Sequence, residues 1–364
     1  MKPVPTTRIP PELFSLARTV NYETRIYKPM RKSVLCLLVS IIAVSLAGCT
    51  QETEEPAPIG MAVEFMDHAA CAYISRDKGW YEDEGLEMAA YESYATGMAL
   101  AAALARGDIQ AAYICLIPAI NAYANAKVPI KIVAGTHKYG YGLVVNTEKI
   151  ASVKDLENTG LRIGCVKEGG AADVVFHRAI DKYGLDKEKV MANIQRMNPQ
   201  KLALAMKMGK LDAACMPEHW ATVAEGFGYE MLIMSQDVWP DMQGSVLAVK
   251  EDLLKENPET VEKLVKVSQK ATDWIHDNPQ DSAEILSRRL NEVGDNTFPA
   301  EIADMVNELD GNQDVMLRSM ERLDFTTGID VREIQATIDY VAGLGYIAES
   351  FDAGEILDLR FIDR

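Results

Sequence analysis

The sequence predicts an α/β fold of two lobes, each a mainly parallel sheet flanked by helices, followed by a helical C-terminal section. Three observations lead to this prediction. Short β-type runs alternate with helical runs from Ile59 to about Ser235, which is the pattern of parallel sheets covered by helices. Two further β-type runs, 141–146 and 244–250, bracket a middle section with its own alternation. From Pro258 onward, apolar residues recur at three- and four-residue spacing, which is typical of amphipathic helices.

Each predicted strand or helix is a short run of residues in which the apolar residues follow one spacing. The β-type runs are 59–66, 110–117, 130–136, 161–166, 212–216 and 229–235. The helical runs between them are 73–85, 98–107, 118–126, 171–184, 201–209 and 219–228. The C-terminal helices are predicted at 258–279, 279–290 and 330–345. Several helices end on glycine, the residue favoured just after a helix.

The bracketing strands indicate that one lobe is inserted into the other. We therefore predict the first lobe at 59–145 and 245–364, and the second, inserted lobe at 146–244. The two segments that cross between the lobes would act as a hinge.

An apolar run near the N-terminus predicts a signal peptide. Residues 34–46 are 13 in number, too few for a membrane-spanning helix of about 20 residues but suited to a signal-peptide core. Arg31 and Lys32 supply the positive charge before this run. The sequence LAGC at 46–49 resembles the lipobox of lipoprotein signal peptides, so Cys49 is the predicted lipidation site. An ordinary secretory signal with an incidental cysteine is the alternative.

The N-terminal segment is interpreted in three parts. Met30 begins a complete signal on its own, so residues 1–29 are expected to be an extension from a spurious gene start. Residues 1–48, the extension plus the signal, are excluded from the fold. Residues 49–58 are acidic and proline-containing, which predicts a solvated tether.

Length and charge limit the class of protein. The 316 residues from Cys49 onward suggest two domains or lobes. They carry 30 lysines and arginines against 52 aspartates and glutamates, a net charge near −22. Nucleic acid is excluded as a partner because phosphate backbones require basic surfaces. The negative charge suits a soluble folded part that is tethered to an anionic membrane by a lipid but does not bind the membrane surface.

Six segments occur in an order that points to a known family. They are DKGWYEDEGLEM, LARGDIQAAYICLIPAI, VPIKIVAG, SVKDLENTGLRIG, ALAMKMGKLDAACMPEHW and NPETVEKLV…ATDWIHDNP. The series resembles the nitrate/sulfonate/taurine-type (and thiamine-precursor-like) substrate-binding proteins of ABC importers, from about Gly60 to Arg364. The resemblance implies a type II periplasmic-binding-protein-like fold, a cleft that closes on a small solute, and docking to a membrane permease.

Two segments favour ligand binding at helix N-termini. Thr96 and Gly97 open an alanine-rich helix, whose free amides and positive dipole end could bind a carboxylate, sulfonate or phosphate. Gly169, Gly170 and Ala171 open another helix after a strand, where glycines let the backbone approach a ligand closely. Plain capping by Thr96 and a tight turn at the glycines are the alternatives without a ligand.

Other candidate binding residues follow the predicted strands, because ligands of α/β sheets collect beyond the carboxyl ends of strands. They are His68, Tyr94, Cys115, His137, Tyr139, Glu218 and Trp220. Tyr139 and Trp220 could hold the apolar body of a ligand, although core aromatics are commoner. Glu218 resembles an acidic position of the family and could bind an amine or hydroxyl, or cap a helix. Lys167 could neutralise an anion or be merely solvated.

The cysteines and histidines near strand ends raise a metal-binding alternative. The residues concerned are Cys71, Cys115, Cys165, Cys215, His68, His137 and His219. Thiolate and imidazole suit a soft metal such as zinc or copper(I). The cysteine spacings of 44, 50 and 50 residues are not those of a chelating motif, however, and cysteine is a frequent core residue. Disulfide pairing stays open, since four cysteines can pair in three ways.

The predicted function is solute capture. No GxSxG, HExxH or GxxxxGK[ST] pattern occurs from Cys49 onward, so we expect no enzymatic activity, cofactor or resident metal. We predict a monomeric, lipid-anchored extracytoplasmic protein that binds a small anionic organic solute and delivers it to ABC permease subunits. A metal-delivery lipoprotein and a sensor lobe that signals to a receptor are the alternatives.

Overall fold

The computed structural model describes residues 58–297, 304 and 313–362. The predicted lipidation site Cys49, the signal peptide and most of the tether lie outside these residues. The strands are β1 (Ile59–Glu64), β2 (Met88–Tyr94), β3 (Ala111–Cys115), β4 (Ile130–Tyr139), β5 (Tyr141–Val145), β6 (Ile163–Cys165), β7 (Ile194–Arg196), β8 (Ala213–Pro217), β9 (Glu230–Met234), β10 (Gln243–Lys250) and β11 (Leu323–Phe325).

Helices connect most of these strands. They are α1 (Ala70–Asp77), α2 (Trp80–Asp83), α3 (Gly97–Arg106), α4 (Leu116–Ala124), α5 (Ala171–Tyr183), α6 (Lys187–Ala192), α7 (Pro199–Lys207), α8 (Glu218–Glu225), α9 (Ser235–Val238), α10 (Glu251–Glu256), α11 (Pro258–Asp277), α12 (Pro279–Thr297), α13 (Gln313–Met320) and α14 (Val331–Gly343). Among the helices in this part of the chain, none is both long enough and apolar enough to cross a membrane.

The first sheet has six strands in the order β11-β4-β10-β3-β1-β2. β1 pairs in parallel with β2 and β3, while β10 runs antiparallel to β3 and β4, and β11 antiparallel to β4. Four of the six strands therefore point the same way. β1 and β3 are buried along their whole length, as expected for central strands covered on both faces.

The second sheet has five strands in the order β7-β6-β8-β5-β9. β6 pairs in parallel with β7 and β8, and β5 runs antiparallel to β8 and β9. Four of the five strands again share one direction. Two sheets, each mainly of one strand direction and covered by helices, confirm the predicted fold class.

The chain crosses between the sheets at two places. The first crossing is a single residue, Gly140, between β4 and β5. Its φ of 98° lies in the left-handed region, and an added Cβ would come within 2.5 Å of His68 Nε2. Glycine is required here both for conformation and for space. The second crossing runs through α9 into β10. The lobe boundaries drawn from the sequence stay a prediction.

The C-terminal section contacts elements of the second sheet as well as the first. Arg322, next to β11 of the first sheet, forms an ion pair of 2.8 Å with Glu218 at the start of α8. The Tyr346 hydroxyl, after α14, donates a 2.6 Å hydrogen bond to Asp173 in α5. The section therefore links both parts of the fold.

Some elements differ from the sequence prediction. The helix expected at 73–85 is two helices, α1 and α2, because Gly79 between them has a φ of 70°. Three strands were not predicted: β2, β7 and β11. β7 and β11 have only three residues each, and β2 is nowhere fully buried, so neither length nor apolar character marked them.

Candidate functional site

A cavity of about 360 Å³ lies where strand ends of both sheets meet. The first sheet and its helices contribute Glu64, Met66, Thr96, Gly97, Met98, Cys115 and Pro118. The second sheet and its helices contribute Tyr141, Val166, Lys167, Gly170, Ala171, Ala172, Arg196, Met197, Asn198, Pro199 and Pro217. The starts of α3 and α5, the two helix N-termini singled out from the sequence, therefore face one cavity.

The start of α3 is capped by its own Thr96 and packed against residues of neighbouring elements. The Thr96 side chain accepts a 3.2 Å hydrogen bond from the Ala99 amide, which is plain N-capping. A Cβ added to Gly97 would lie 2.3 Å from Glu64 Oε1 and 2.7 Å from Pro118 Cγ. Glycine at 97 is thus needed for close packing against a buried carboxyl group. An anion at this helix start would meet that carboxyl group.

The start of α5 has a charged pair behind it. The Gly169 amide donates a 3.0 Å hydrogen bond to Asp173 Oδ2, and Arg196 forms an ion pair with the other oxygen of Asp173. Arg196 also donates to the Val166 carbonyl at 2.9 Å. Asp173 is fully buried, so its charge is compensated by Arg196 rather than by water. Lys167 is exposed where it borders the cavity.

A polar network forms the wall of the cavity on the side of the first sheet. Cys115 Sγ lies 2.9 Å from Glu64 Oε2, 3.3 Å from His68 Nδ1 and 2.9 Å from the Tyr141 hydroxyl. His68 Nε2 is 2.7 Å from the Gly140 carbonyl oxygen. All four side chains are buried. Only Glu64, Cys115 and Tyr141 border the cavity; His68 lies behind the sulfur.

Burial keeps this network close to neutral. Desolvation raises the pKa of Glu64 to about 7 and raises the pKa of the Cys115 thiol well above its usual range. Desolvation and the neighbouring His137 hold the pKa of His68 well below its usual value. Glu64 Oε1 is buried without a hydrogen-bond partner among the described residues. Next to the cavity the protein thus holds one buried carboxyl oxygen without a partner among the described residues.

Five of the twelve predicted binding residues border the cavity: Thr96, Gly97, Cys115, Gly170 and Ala171. Gly169 lies just behind them, where its carbonyl accepts a 3.0 Å hydrogen bond from Asn121 Nδ2. The prediction that these two chain segments face each other therefore matches the geometry of the cavity, although contact with a solute stays a prediction.

The structure places the other six predicted residues away from the cavity wall. His68 and His137 contact the backbone carbonyls of Gly140 and Lys138. Tyr94 is hydrogen-bonded to Glu92, and Glu218 is paired with Arg322. Tyr139 directly precedes the crossing residue Gly140, and Trp220 packs in the core against Phe65. Trp220 is fully buried, as expected if this aromatic residue belongs to the hydrophobic core. Glu218 accepts hydrogen bonds from Arg322 and Thr222, so its carboxylate is paired within the protein, and its contact with a solute stays a prediction.

Sequence reasoning missed several residues of the wall. Glu64 had a signal, since it is the one charged residue in the apolar run IGMAVEFM. Arg196 is the last residue of β7 and Met197 follows it; because this short strand was not predicted, their position at a strand end could not be seen. Tyr141 was assigned to a strand, and only the fold shows that its hydroxyl reaches Cys115.

The four described cysteines are free and buried. Cys165 and Cys215 lie opposite each other on the neighbouring strands β6 and β8. Cys71 is separate, with its sulfur 3.9 Å from the Thr136 carbonyl. Cys115 is the cysteine that belongs to a group of possible metal ligands, together with Glu64 and His68.

The fold is shared with solved binding proteins. The alkanesulfonate-binding protein of Xanthomonas axonopodis pv. citri, bound to MOPS, aligns with a TM-score of 0.68 and 15% identity, over 84% of this chain and 99% of that one. The nitrate-binding protein of Synechocystis PCC 6803 aligns with a TM-score of 0.63 and 16% identity, over 84% and 86% of the chains. At these identities the likeness concerns the fold alone. It defines the class as two-lobed, periplasmic-binding-protein-like, and confirms the fold that the resemblance implied.

Sequence comparison gives the family. The model of the NMT1-like family matches residues 52–290, and the chain belongs to that family. A binding protein of Brucella abortus (strain 2308) is 27% identical over 261 residues, which is 70% of this chain and 77% of the relative.

Proposed function

We propose that this protein is the extracytoplasmic solute-binding component of an ABC-type importer. The observation that carries the proposal is the cavity of about 360 Å³, to which each sheet and its helices contribute strand ends and helix starts. Ligands of open α/β sheets bind at this position. The alkanesulfonate- and nitrate-binding proteins with the same fold support the assignment. The protein acts by binding, as a monomer, with permease subunits as its partners.

The cavity suits an organic solute better than a bare inorganic anion. Much of its wall is apolar: Met66, Met98, Pro118, Val166, Met197, Pro199 and Pro217. Burying apolar surface contributes about 25 cal/mol per Å², so a solute with a hydrocarbon body would gain affinity from this wall. Nitrate has no such body and would leave the wall in contact with water.

The proposed solute is anionic and binds in one orientation. Its negative group faces Lys167 and the start of α5, where the cation and the helix dipole both favour an anion. Its apolar body lies against the methionines. Glu64 disfavours a second negative group at the opposite wall, because two carboxylates in a desolvated site repel each other. A sulfonate or carboxylate with an uncharged tail fits this arrangement.

Capture is coupled to lobe closure in this proposal. The lobes are 59–145 with 245–364, and 146–244, hinged at Gly140 and at the segment that contains α9. A solute that contacts both lobes binds the closed form more tightly and shifts the equilibrium toward it. The ion pair between Arg322 and Glu218 joins the lobes beside the hinge.

Lipid on Cys49 would hold the protein at the membrane beside its permease. The lipobox LAGC at 46–49 supports this part of the proposal. We expect the Cys49→Ala variant to leave the membrane fraction, whereas Cys36→Ala, within the signal core, stays in it. Retention of the Cys49→Ala variant in membranes would exclude the lipid anchor.

A thermal-shift screen tests solute binding. The panel contains alkanesulfonates, taurine, alkyl carboxylates, nitrate and a neutral sulfonamide matched to each sulfonate. A solute at a hundred times its Kd stabilises the folded state by about 2.7 kcal/mol. We expect alkanesulfonates or alkyl carboxylates to raise Tm, and nitrate and the sulfonamides to have no effect.

A matched pair of variants shows whether the shift arises in the cavity. Met98 borders the cavity and is half-buried, so Met98→Trp fills the cavity with little effect on the fold. Met208 is 55% exposed and lies outside the cavity, so Met208→Trp adds the same ring elsewhere. The shift should disappear in Met98→Trp and persist in Met208→Trp. An equal shift in both variants would place binding elsewhere.

A further inference from the structure

Three potential metal ligands meet beside the cavity. A carboxylate oxygen of Glu64, a ring nitrogen of His68 and the sulfur of Cys115 all lie within 4.8 Å of one another. They come from three separate elements: the end of β1, the short turn Asp67–Ala69, and the end of β3. All three side chains are buried, so the fold, and not surface mobility, sets their positions.

The hydrogen bonds of this group bring a ring nitrogen of His68 and a carboxyl oxygen of Glu64 to the Cys115 sulfur. The Gly140 carbonyl can only accept, so His68 Nε2, 2.7 Å away, carries the ring proton. His68 Nδ1 therefore points its lone pair at Cys115 Sγ, 3.3 Å away. Glu64 Oε2 approaches the same sulfur at 2.9 Å. The thiol can donate its proton to only one neighbour, and the Tyr141 hydroxyl, at 2.9 Å, adds a donor that would stabilise a thiolate once that proton has left.

A second observation points to a bound group at the same place. Glu64 is 1% exposed, yet its Oε1 has no hydrogen-bond partner among the described residues. A buried carboxyl oxygen without a partner is costly unless something binds it. Glu64 and Cys115 both border the cavity, which gives a cation a route from solvent.

We propose that Glu64, His68 and Cys115 form a binding site for a borderline-soft divalent cation of the zinc type. Carboxylate, imidazole and thiolate are all zinc ligands, and three protein ligands leave a fourth position open toward the cavity. The thiol proton leaves to solvent as the metal–sulfur bond forms, and thiolate plus carboxylate then balance the double charge. The Gly140 carbonyl orients the imidazole, as partners of metal-bound histidines usually do.

The geometry needs only a small adjustment. Two ligand atoms on a tetrahedral zinc ion lie about 3.5 Å apart, given bonds of about 2.0–2.3 Å. The separations of 2.9 and 3.3 Å must widen by well under 1 Å, which a rotation of the Glu64 carboxyl group can supply. This site does not depend on the solute proposed above, because its ligands face the metal whether or not the cavity is filled.

Cobalt(II) is the probe, because a cobalt–thiolate bond gives a charge-transfer band in the near ultraviolet that carboxylate or imidazole alone does not. The purified full-length protein is stripped with chelator, dialysed and titrated with Co²⁺, then with Zn²⁺ in competition. We expect one equivalent of Co²⁺ with the thiolate band, and its displacement by one equivalent of Zn²⁺. Absence of the band at millimolar Co²⁺ overturns the proposal.

Cysteine variants identify the ligand. Cys115→Ser should abolish the band and weaken Zn²⁺ binding at least tenfold. Cys71→Ser is the matched control, because Cys71 is also buried in the first-sheet region but belongs to no ligand group formed by the residues that the structure describes. It should bind as the wild type does. A band retained in Cys115→Ser, or lost equally in Cys71→Ser, excludes the site.

Conservative variants of the other two ligands keep the test informative if Cys115→Ser does not fold. His68→Gln and Glu64→Gln should keep the cobalt band but weaken Zn²⁺ at least tenfold, while circular dichroism stays as in the wild type. Unchanged Zn²⁺ affinity in both variants would show that the cation binds cysteine elsewhere. Solute-induced thermal shifts, measured in chelator, report on the proposed transport function separately.

Discussion

The starts of α3 and α5, two of the helix starts that border the cavity, have similar backbone geometry but different chemistry. Both N-cap residues, Thr96 before α3 and Gly170 before α5, are extended, and both helices have a buried carboxyl group nearby. At α5 that group is Asp173, paired with Arg196. At α3 it is Glu64, which has no cation beside it among the described residues, and whose pKa burial raises to about 7.

This difference shows why a free helix N-terminus does not by itself identify an anion site. The dipole contribution of a helix end is typically below 1 kcal/mol, whereas a neighbouring buried carboxylate changes the local charge by a full unit. Of these two starts, only that of α5 has a compensated carboxylate, so it is the better suited of the two to an anion. Two amide substitutions, one at each helix start, test this comparison.

The larger effect is expected at Asp173. Asp173→Asn removes the charge but keeps the size, and it leaves Arg196, 29% exposed, without its buried partner. Removing one member of a buried ion pair costs about 3–5 kcal/mol, and the partial exposure of Arg196 places the value near the lower limit. We expect the free energy of unfolding in urea at pH 7 to fall by about 3 kcal/mol.

Glu92→Gln is the control for that measurement. Glu92 is an exposed carboxylate that accepts a hydrogen bond from the Tyr94 hydroxyl, so its loss should change stability by less than about 1 kcal/mol. A loss at Asp173 no larger than at Glu92 would mean that the buried pair contributes little, and the contrast between the two helix starts would not hold.

The sequence predicts the fold well because its signals are local. The apolar run of β1 and the alternation from β3 to β9 are direct consequences of which strand faces are buried. Strand ends were also found, and with them the region of the cavity. β2 and β7 were missed, since an edge strand with little burial and a strand of three residues leave no periodic pattern.

The site was predicted less completely because side-chain partners are not local. Glu218 follows β8, as the sequence suggests, but Arg322, 104 residues later, binds it. Trp220 lies two residues further on, and the turn of α8 directs its ring into the core. In contrast, Glu64 was overlooked although it interrupts an apolar strand. A lone charge in a buried strand is therefore a better indicator of a site than an aromatic residue after a strand.

The smaller and pH-dependent effect is expected at Glu64. Its pKa is about 7 in the folded protein and near 4.5 unfolded, so the folded state binds more protons between these values. The contribution of Glu64 to folding stability is then most favourable below about pH 4 and is lost progressively as the pH rises toward and through 7. Glu64→Gln resembles the protonated acid and removes this dependence. At about 1.36 kcal/mol per pKa unit, the variant should gain about 2 kcal/mol relative to wild type between pH 5 and pH 8.

Urea unfolding of both proteins in the presence of chelator measures this gain without bound metal. Glu188→Gln, at an exposed glutamate in α6, provides the matched control and should run parallel to wild type over the same range. A difference between Glu64→Gln and wild type that stays constant from pH 5 to pH 8 would mean that Glu64 is ionised throughout. The α3 start would then hold a permanent buried negative charge without a compensating cation, and it would repel a solute anion at every pH at which the protein is folded.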